Sequence, residues 1–443
     1  MKYKFDLMVR KFVPLVCLML ALSFTTTELS AQSRGGKKSD RKTQKAQSMS
    51  QKTYEVLTSA QELIEAKQYN EGLAVLRDLE REKKLTPYEK AQLYNYFAYT
   101  YFTLERYQDA IRSYEKVLKQ PDLPEGLISS SLYTLAQLYF ITEEYQKAVG
   151  TIEKWFKTTD KPSENAYMLL GQGYYQLEKY KKSLVPLKKA YKMVKARGDN
   201  PKQNLLLLMR VNYYELDDYK NMVNVLKELV QIYPKTQYWL TMGGAYSELK
   251  RLDKQMSIMQ MLYDSGDLPK GNQQQNLANL LLLHEVPYRA ALILDKGMQK
   301  GIIKKNVRNL RLLSQAYLQA QESKKAIAPL KQAANLSKDG DLDVRLAQAY
   351  INLDRYKEAI GSLGKGLKKG GVKRRDTAYV MLGLANFELK RFNSSIKAFS
   401  EANKDKRSRR TASQWLKHVK SERSRLKQLH DAINKPIEAD ESI

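Results

Sequence analysis

The sequence predicts an all-α fold, a right-handed α-solenoid of about ten helix pairs closed by a C-terminal capping helix. Two observations carry this. The first is a recurring pattern: a small residue, aromatics three and nine positions on, and a second small residue at twelve. Ala98, Tyr101, Tyr107 and Ala110 are its sharpest copy. Ala136, Tyr139, Tyr145, Ala148, then Gly171, Tyr174, Tyr180, Ser183, and later Ala347, Tyr350, Tyr356, Ala359 repeat it. Aligned on the first small residue, units begin at Ala60, Ala98, Ala136, Gly171, Arg210, Gly243, Ala278, Ser314, Ala347 and Gly383. Their mean spacing is about 36 residues, the period of stacked helical repeats. The second observation is composition. With 43% hydrophobic and 28% charged residues the chain is globular rather than disordered, and 21 Gly and 12 Pro are too few for a loop-rich β protein.

Each unit reads as two helices and a tight turn. On the first helix the small residue and the aromatic three later share a face. The aromatic nine later sits at the turn and fills the gap between the helices. On the second helix, offsets twelve, sixteen and nineteen share a face, as in Ala110, Tyr114 and Val117. Small residues are needed where helix axes cross at about 8–10 Å. Pro121, Pro234 and Pro269 follow second helices, where a proline ends a helix cleanly. On these residues the stretch 54–402 resembles the tetratricopeptide repeat family. Four middle units depart from the pattern. Arg210 and Met222 fill small slots, Leu252 and Gln255 replace an aromatic and a small residue, and Pro287 and Ser323 stand at turns. These departures predict wider or irregular units, or a hinge between two better-formed halves. A stack needs an end cap, and 403–433 supplies a basic helix in which Trp415, Leu416, Val419, Leu426 and Leu429 can cover the last unit.

The start of the chain reads as an export signal over 1–31. Lys2, Lys4, Arg10 and Lys11 precede an apolar run from Phe12 to Phe24, with a cleavage site expected after Ala31. That run is short of the ~20 residues that span a bilayer, and an uncleaved inner-membrane anchor is the alternative. Residues 32–53 form a basic segment with almost nothing apolar, expected to be disordered, as is the tail 434–443. Cys17 is the only cysteine. Cleavage would remove it, and with it disulfides, thiol catalysis and thiolate metal sites. The expected location is periplasmic. A net charge of +28 then points to acidic proteins or an anionic envelope surface rather than to nucleic acid.

Little in the chain suggests catalysis, and the sequence predicts a non-enzyme without cofactor or metal. His284, His418 and His430 lack metal-ligand spacing. Gly364-Lys365-Gly366 follows no strand and falls within a second helix. Glu143-Glu144 and Asp217-Asp218 fall in turns, where solvent keeps a carboxyl at its ordinary acidity.

The binding candidates lie on the other face of the first helices, at offsets −3, +1 and +4, which are expected to point away from the pair into a groove. They are Asn95, Tyr99 and Phe102; Tyr133, Gln137 and Phe140; Met168, Gln172 and Tyr175; then Leu207, Val211 and Tyr214. Phe102, Phe140, Tyr175 and Tyr214 make a ring ladder flanked by amides, which suits a peptide because rings supply area and amides bond its backbone. Packing between successive units is the competing use of the same rings. A carboxylate clamp is not expected, since Tyr99 and Phe102 stand where its cations would be. In the eighth unit Arg308 and Arg311 make the groove basic. The terminal basic stretch, Lys404 to Lys427, predicts contact with an acidic partner or lipid headgroups, or a solvated helix face.

The running sequence of 272–399, including QQQNLANLLLLHEVPYRAALILDKGMQKGII, resembles tetratricopeptide proteins associated with proteobacterial TonB systems. That resemblance implies a periplasmic accessory component of energy transduction to outer-membrane receptors for iron chelates. It carries no functional residue. The competing expectation is an envelope-biogenesis factor that binds anionic glycan or lipid through its charge.

Overall fold

The computed structural model describes residues 48–433. The segment expected to be an export signal, Cys17, most of the basic segment and the tail 434–443 lie outside them. The described residues form 21 helices, twenty of them in ten pairs. The pairs are α1 (Gln51–Glu65) with α2 (Tyr69–Glu80), α3 (Pro87–Thr103) with α4 (Tyr107–Leu118), and α5 (Glu125–Ile141) with α6 (Tyr145–Trp155). Then come α7 (Glu164–Gln176) with α8 (Tyr180–Ala196), α9 (Gln203–Glu215) with α10 (Tyr219–Ile232), and α11 (Thr236–Glu248) with α12 (Leu252–Asp264). The last are α13 (Gly271–Leu283) with α14 (Pro287–Gln299), α15 (Val307–Gln319) with α16 (Ser323–Leu336), α17 (Asp341–Ile351) with α18 (Tyr356–Lys369), and α19 (Arg375–Glu388) with α20 (Phe392–Ala402). The single helix α21 (Arg409–Ile433) closes the series. The chain divides into two compact units, the first ending at Tyr238 and the second beginning at Trp239.

One turn joins the helices of every pair. The residue seven positions after each small residue has a left-handed backbone, with φ between 52° and 63° from Lys67 through Glu105, Glu143 and Asp217 to Lys390. The next residue's N–H donates 2.8–2.9 Å back to the carbonyl of the residue at offset three, as Arg106 does to Tyr101 and Arg391 to Asn386. This six-to-one bond satisfies a carbonyl that the helix end would otherwise leave bare. None of the ten residues is glycine, so each turn carries about 1 kcal/mol of backbone strain. The residue at offset nine then opens the second helix in all ten pairs. Leu252, Pro287 and Ser323 do so without an aromatic ring, so the expectation of irregular middle units is not met at their turns: backbone bonding, not the ring, sets the geometry.

The small slots are buried where expected, and two do more than leave space. Ser183 Oγ donates 2.7 Å to the carbonyl of Gly171, and Ser395 Oγ donates 2.8 Å to that of Gly383. Both bonds cross the contact between the two helices of a pair, so the residue at offset twelve locks the axes it separates. Leu, Ala and Val side chains fill the rest of the core, with Leu76, Leu93, Leu138, Leu187, Leu226 and Leu277 fully buried.

Tyrosines stitch three of the pairs to the ones before them. Tyr139 donates 2.6 Å to Glu115, Tyr317 donates 3.0 Å to Asp295, and Tyr174 bonds Glu153. In each case the tyrosine is at offset three and the acid at offset seventeen of the preceding pair. Burial, then the bond to a carboxylate, pushes the Tyr174 and Tyr317 phenols up from the ordinary 10 to about 12. A raised phenol stabilises the fold fully below pH 10, and that contribution is lost as pH rises through about 12. Urea midpoints measured from pH 9 to 11.5 should therefore fall more steeply for the wild-type chain than for a Tyr174→Phe, Tyr317→Phe variant. Parallel profiles would show that these bonds do not couple the pairs.

The cap helix is fastened at its start. Ser408 Oγ donates 2.7 Å to the buried Asp376 carboxylate, which Arg374 grips at 2.9 and 2.7 Å. The Arg374 guanidinium, helped by Ser408, holds that carboxyl well below its usual range. Trp415 stacks on Phe399 at 5.7 Å, and Val419 is fully buried. Leu429 departs from expectation: it is half exposed, and Ile433 beyond it is more exposed still. The 25-residue α21 simply outruns the 11-residue α20 beneath it, roughly 37 Å against 16 Å at about 1.5 Å per residue.

Candidate functional site

Ten of the twelve predicted site residues lie in the first unit, on α3, α5, α7 and α9; Arg308 and Arg311 lie in the second unit on α15, both exposed. Each ring of the expected ladder has a partner within its own pair. Phe102 meets Tyr107 at 6.0 Å between centroids, Phe140 meets Tyr145 at 5.8 Å, Tyr175 meets Tyr180 at 5.7 Å and Tyr214 meets Tyr219 at 6.4 Å. The ladder thus leans on the rings that open the second helices. Phe140 also reaches the next pair, where a Cβ on Gly173 would come 2.9 Å from its ring. Met168 and Tyr175 keep only 8% of their surface. Tyr133 turns back toward its own pair and packs on Trp155 of α6 at 5.0 Å, since an aromatic chain through Phe156 to Tyr167 offers more apolar contact than the solvent side.

The amides behave differently from the rings. Asn95, Gln137 and Gln172 sit at offsets −3, +1 and +1 on α3, α5 and α7, the first helices of three successive pairs, each partly buried. The Gln137 Oε1 is sealed from solvent and accepts no hydrogen bond. A buried acceptor left bare costs about 1–3 kcal/mol, so a fold that retains one has a reason to.

A further polar cluster lies at the start of α9, outside the sequence pattern. At the start of α9, Gln203 Oε1 accepts from Lys235 Nζ at 3.3 Å, and the Gln203 amide bonds the Tyr238 hydroxyl. Arg210, two turns on, interacts with both Tyr238 and Tyr175. The signal in the sequence was the departure itself, an arginine where a small residue belongs. In the second unit, an open cavity of about 350 Å³ is lined by Gly243, Gly244, Gln255, Met259, Asn272 and Asn276, at the unit where Gln255 breaks the pattern. Among the described residues no three His, Cys, Asp or Glu are placed to hold a metal ion, and no helix is long and apolar enough to cross a membrane.

Comparison with known proteins follows the same pattern. Tetratricopeptide repeat models match 91–120 and 344–408, and a model described as anaphase-promoting complex, cyclosome, subunit 3 matches 128–190. No curated protein matches. Among solved structures, a tetratricopeptide repeat protein from Parabacteroides merdae is 16% identical, with 60% of this chain and 99% of that one covered and a TM-score of 0.36. The C-terminal part of a TPR repeat-containing protein from Cytophaga hutchinsonii is 14% identical, with 63% and 95% covered and a TM-score of 0.37. YrrB, described as a TPR protein with an unusual peptide-binding site, is 18% identical, with 38% and 86% covered and a TM-score of 0.31.

Proposed function

We propose that this chain, a tetratricopeptide repeat protein, is a non-enzymatic scaffold that holds an extended segment of a partner protein along the first helices of its first unit. One observation carries the reading: partly exposed amides, Asn95, Gln137 and Gln172, on the first helices of three successive pairs. An extended peptide presents backbone N–H groups at regular intervals to such a row, and the flanking rings add apolar area. The rings themselves contribute less than their sequence suggests, because each is already half spent on its own pair.

The narrower assignment is an exported, periplasmic accessory of a TonB system for iron-chelate transport. What supports it is the signal-like start and the running resemblance of 272–399. The test is crosslinking and purification from envelope extracts with the wild-type chain and a Gln137→Ala, Gln172→Ala variant. TonB-system components should be recovered with the wild type and lost with the variant. Equal recovery with both would remove the amide row from the binding site, and recovery of partners outside any transport system would remove the TonB assignment alone.

A second reading has its own observation, the exposed end of α21. There Arg423, Arg425 and Lys427 flank the exposed Leu429 and Ile433. Such an end suits an anionic lipid or glycan surface, to which binding falls steeply with salt.

A further inference from the structure

Arg210 occupies the slot in which the other nine pairs carry Ala, Gly or Ser. The side chain is partly buried, and its Nε is sealed from solvent without a hydrogen-bond partner. Among the described residues no carboxylate is paired with it. The phenols of Tyr175, from the preceding pair, and Tyr238 act on it electrostatically. Lys235 adds a second positive charge, 5.9 Å above the Tyr238 ring. Burial pulls the Arg210 pKa down, which marks a desolvated cation. A buried cation without its counterion is among the costlier arrangements a fold can hold, and a methionine would fill the same slot without that cost.

We infer that Arg210, framed by Tyr175 and Tyr238, receives one side-chain carboxylate of the peptide bound along the first unit. The chemistry fits: guanidinium takes carboxylate in a planar, two-bond contact. The register follows as well. Gln137 lies two pairs upstream, about 20 Å at about 10 Å per pair. An extended chain covers that in about six residues at about 3.3 Å each. The recognised segment therefore carries Asp or Glu about six residues from the residue that bonds Gln137. This rests on the peptide-binding reading above.

The test uses the full chain panned against a random dodecapeptide display library, whose peptides are fused at their C-terminal ends and so offer only side-chain carboxylates. Enriched sequences should share an acidic position. Synthetic copies with amidated ends should lose at least tenfold in affinity on Glu→Gln. Arg210→Met should lose the same tenfold for the acidic peptide and nothing further for its Gln form, a coupling that only a direct contact produces. Arg210→Met should also raise the Tm, because it removes an unpaired buried charge; Arg210→Gln serves if that variant does not fold. Equal losses on Glu→Gln in wild type and variant, or a lowered Tm for both variants, would overturn the inference. Enrichment of neutral peptides alone would sink the Arg210 site and leave the groove standing. No enrichment at all would sink both.

Discussion

Phe399→Ala unfolds the C-terminal end of the second unit before the rest of the chain, at a cost of about 3–5 kcal/mol. Phe399 is fully buried, and it is the largest side chain in that state. Its ring lies over Gly383, where even a Cβ would come within 2.7–2.8 Å of three ring atoms, and its other face stacks on Trp415. Removing it opens the crossing of α19 and α20 and strips the cap helix of its main contact. The Phe387 contacts with Trp415 and His418, the Ser408–Asp376 bond and the Arg423–Asn393 bond would then hold α21. Hydrogen exchange should show α19–α21 losing protection while α1–α8 keep theirs, because in a repeat stack each pair depends on its neighbours only. Uniform loss of protection along the chain would mean that the end pair is not an independent step.

Gly340→Ala is the second large effect, about 3 kcal/mol or more. Gly340 begins α17 and donates 2.8 Å to the carbonyl of Gly370. Its α-carbon lies against the backbone of Gly366 in α18, so that a methyl group would sit well inside the van der Waals radius of the Gly366 carbonyl oxygen. The obstacle is backbone, and neither glycine has a side chain to swing away. Relief requires the start of α17 to part from α18, which also stretches the Lys369–Asp343 ion pair, now 2.8 Å with Asp343 buried. Urea unfolding of the variant should show a lower midpoint for the second unit, and a Gly366→Ala variant should behave likewise. A midpoint within experimental error of wild type for Gly340→Ala would mean that the two helix ends separate freely.

Much of the architecture was legible in the sequence because the same residues do the same work in every pair. Offset nine opens the second helix at Tyr69 and at Phe392, and equally at Leu252, Pro287 and Ser323. The spacing survives where its residue type fails, because the turn is held by backbone bonds. Those bonds were not legible: offset seven is Lys, Glu, Asp or Gln, none of which announces a left-handed residue the way glycine does. The site was legible only as a face. Offset alone did not separate Gln137 and Gln172, which stay partly buried, from Tyr133, which followed its apolar area to Trp155, or from Met168 and Tyr175, which sank into the packing. Arg210 was visible as an anomaly, and its neighbours Gln203 and Tyr238 come from outside its own repeat position, so no periodicity could have gathered them.

The uniform turn has a consequence for how such a chain can change over time. Within a pair the linker is three residues in nine cases and four in the other, between Ile351 and Tyr356. Between pairs it runs from three residues after Ile232 to seven after Gln299 and eight after Trp155. A duplication or deletion that cuts between pairs breaks a connection of no fixed length, whereas one that cuts inside a pair destroys a turn that tolerates almost no variation. The helix pair is therefore the natural unit of recombination, and new copies are most easily gained or lost at the long linkers after Trp155 and Gln299.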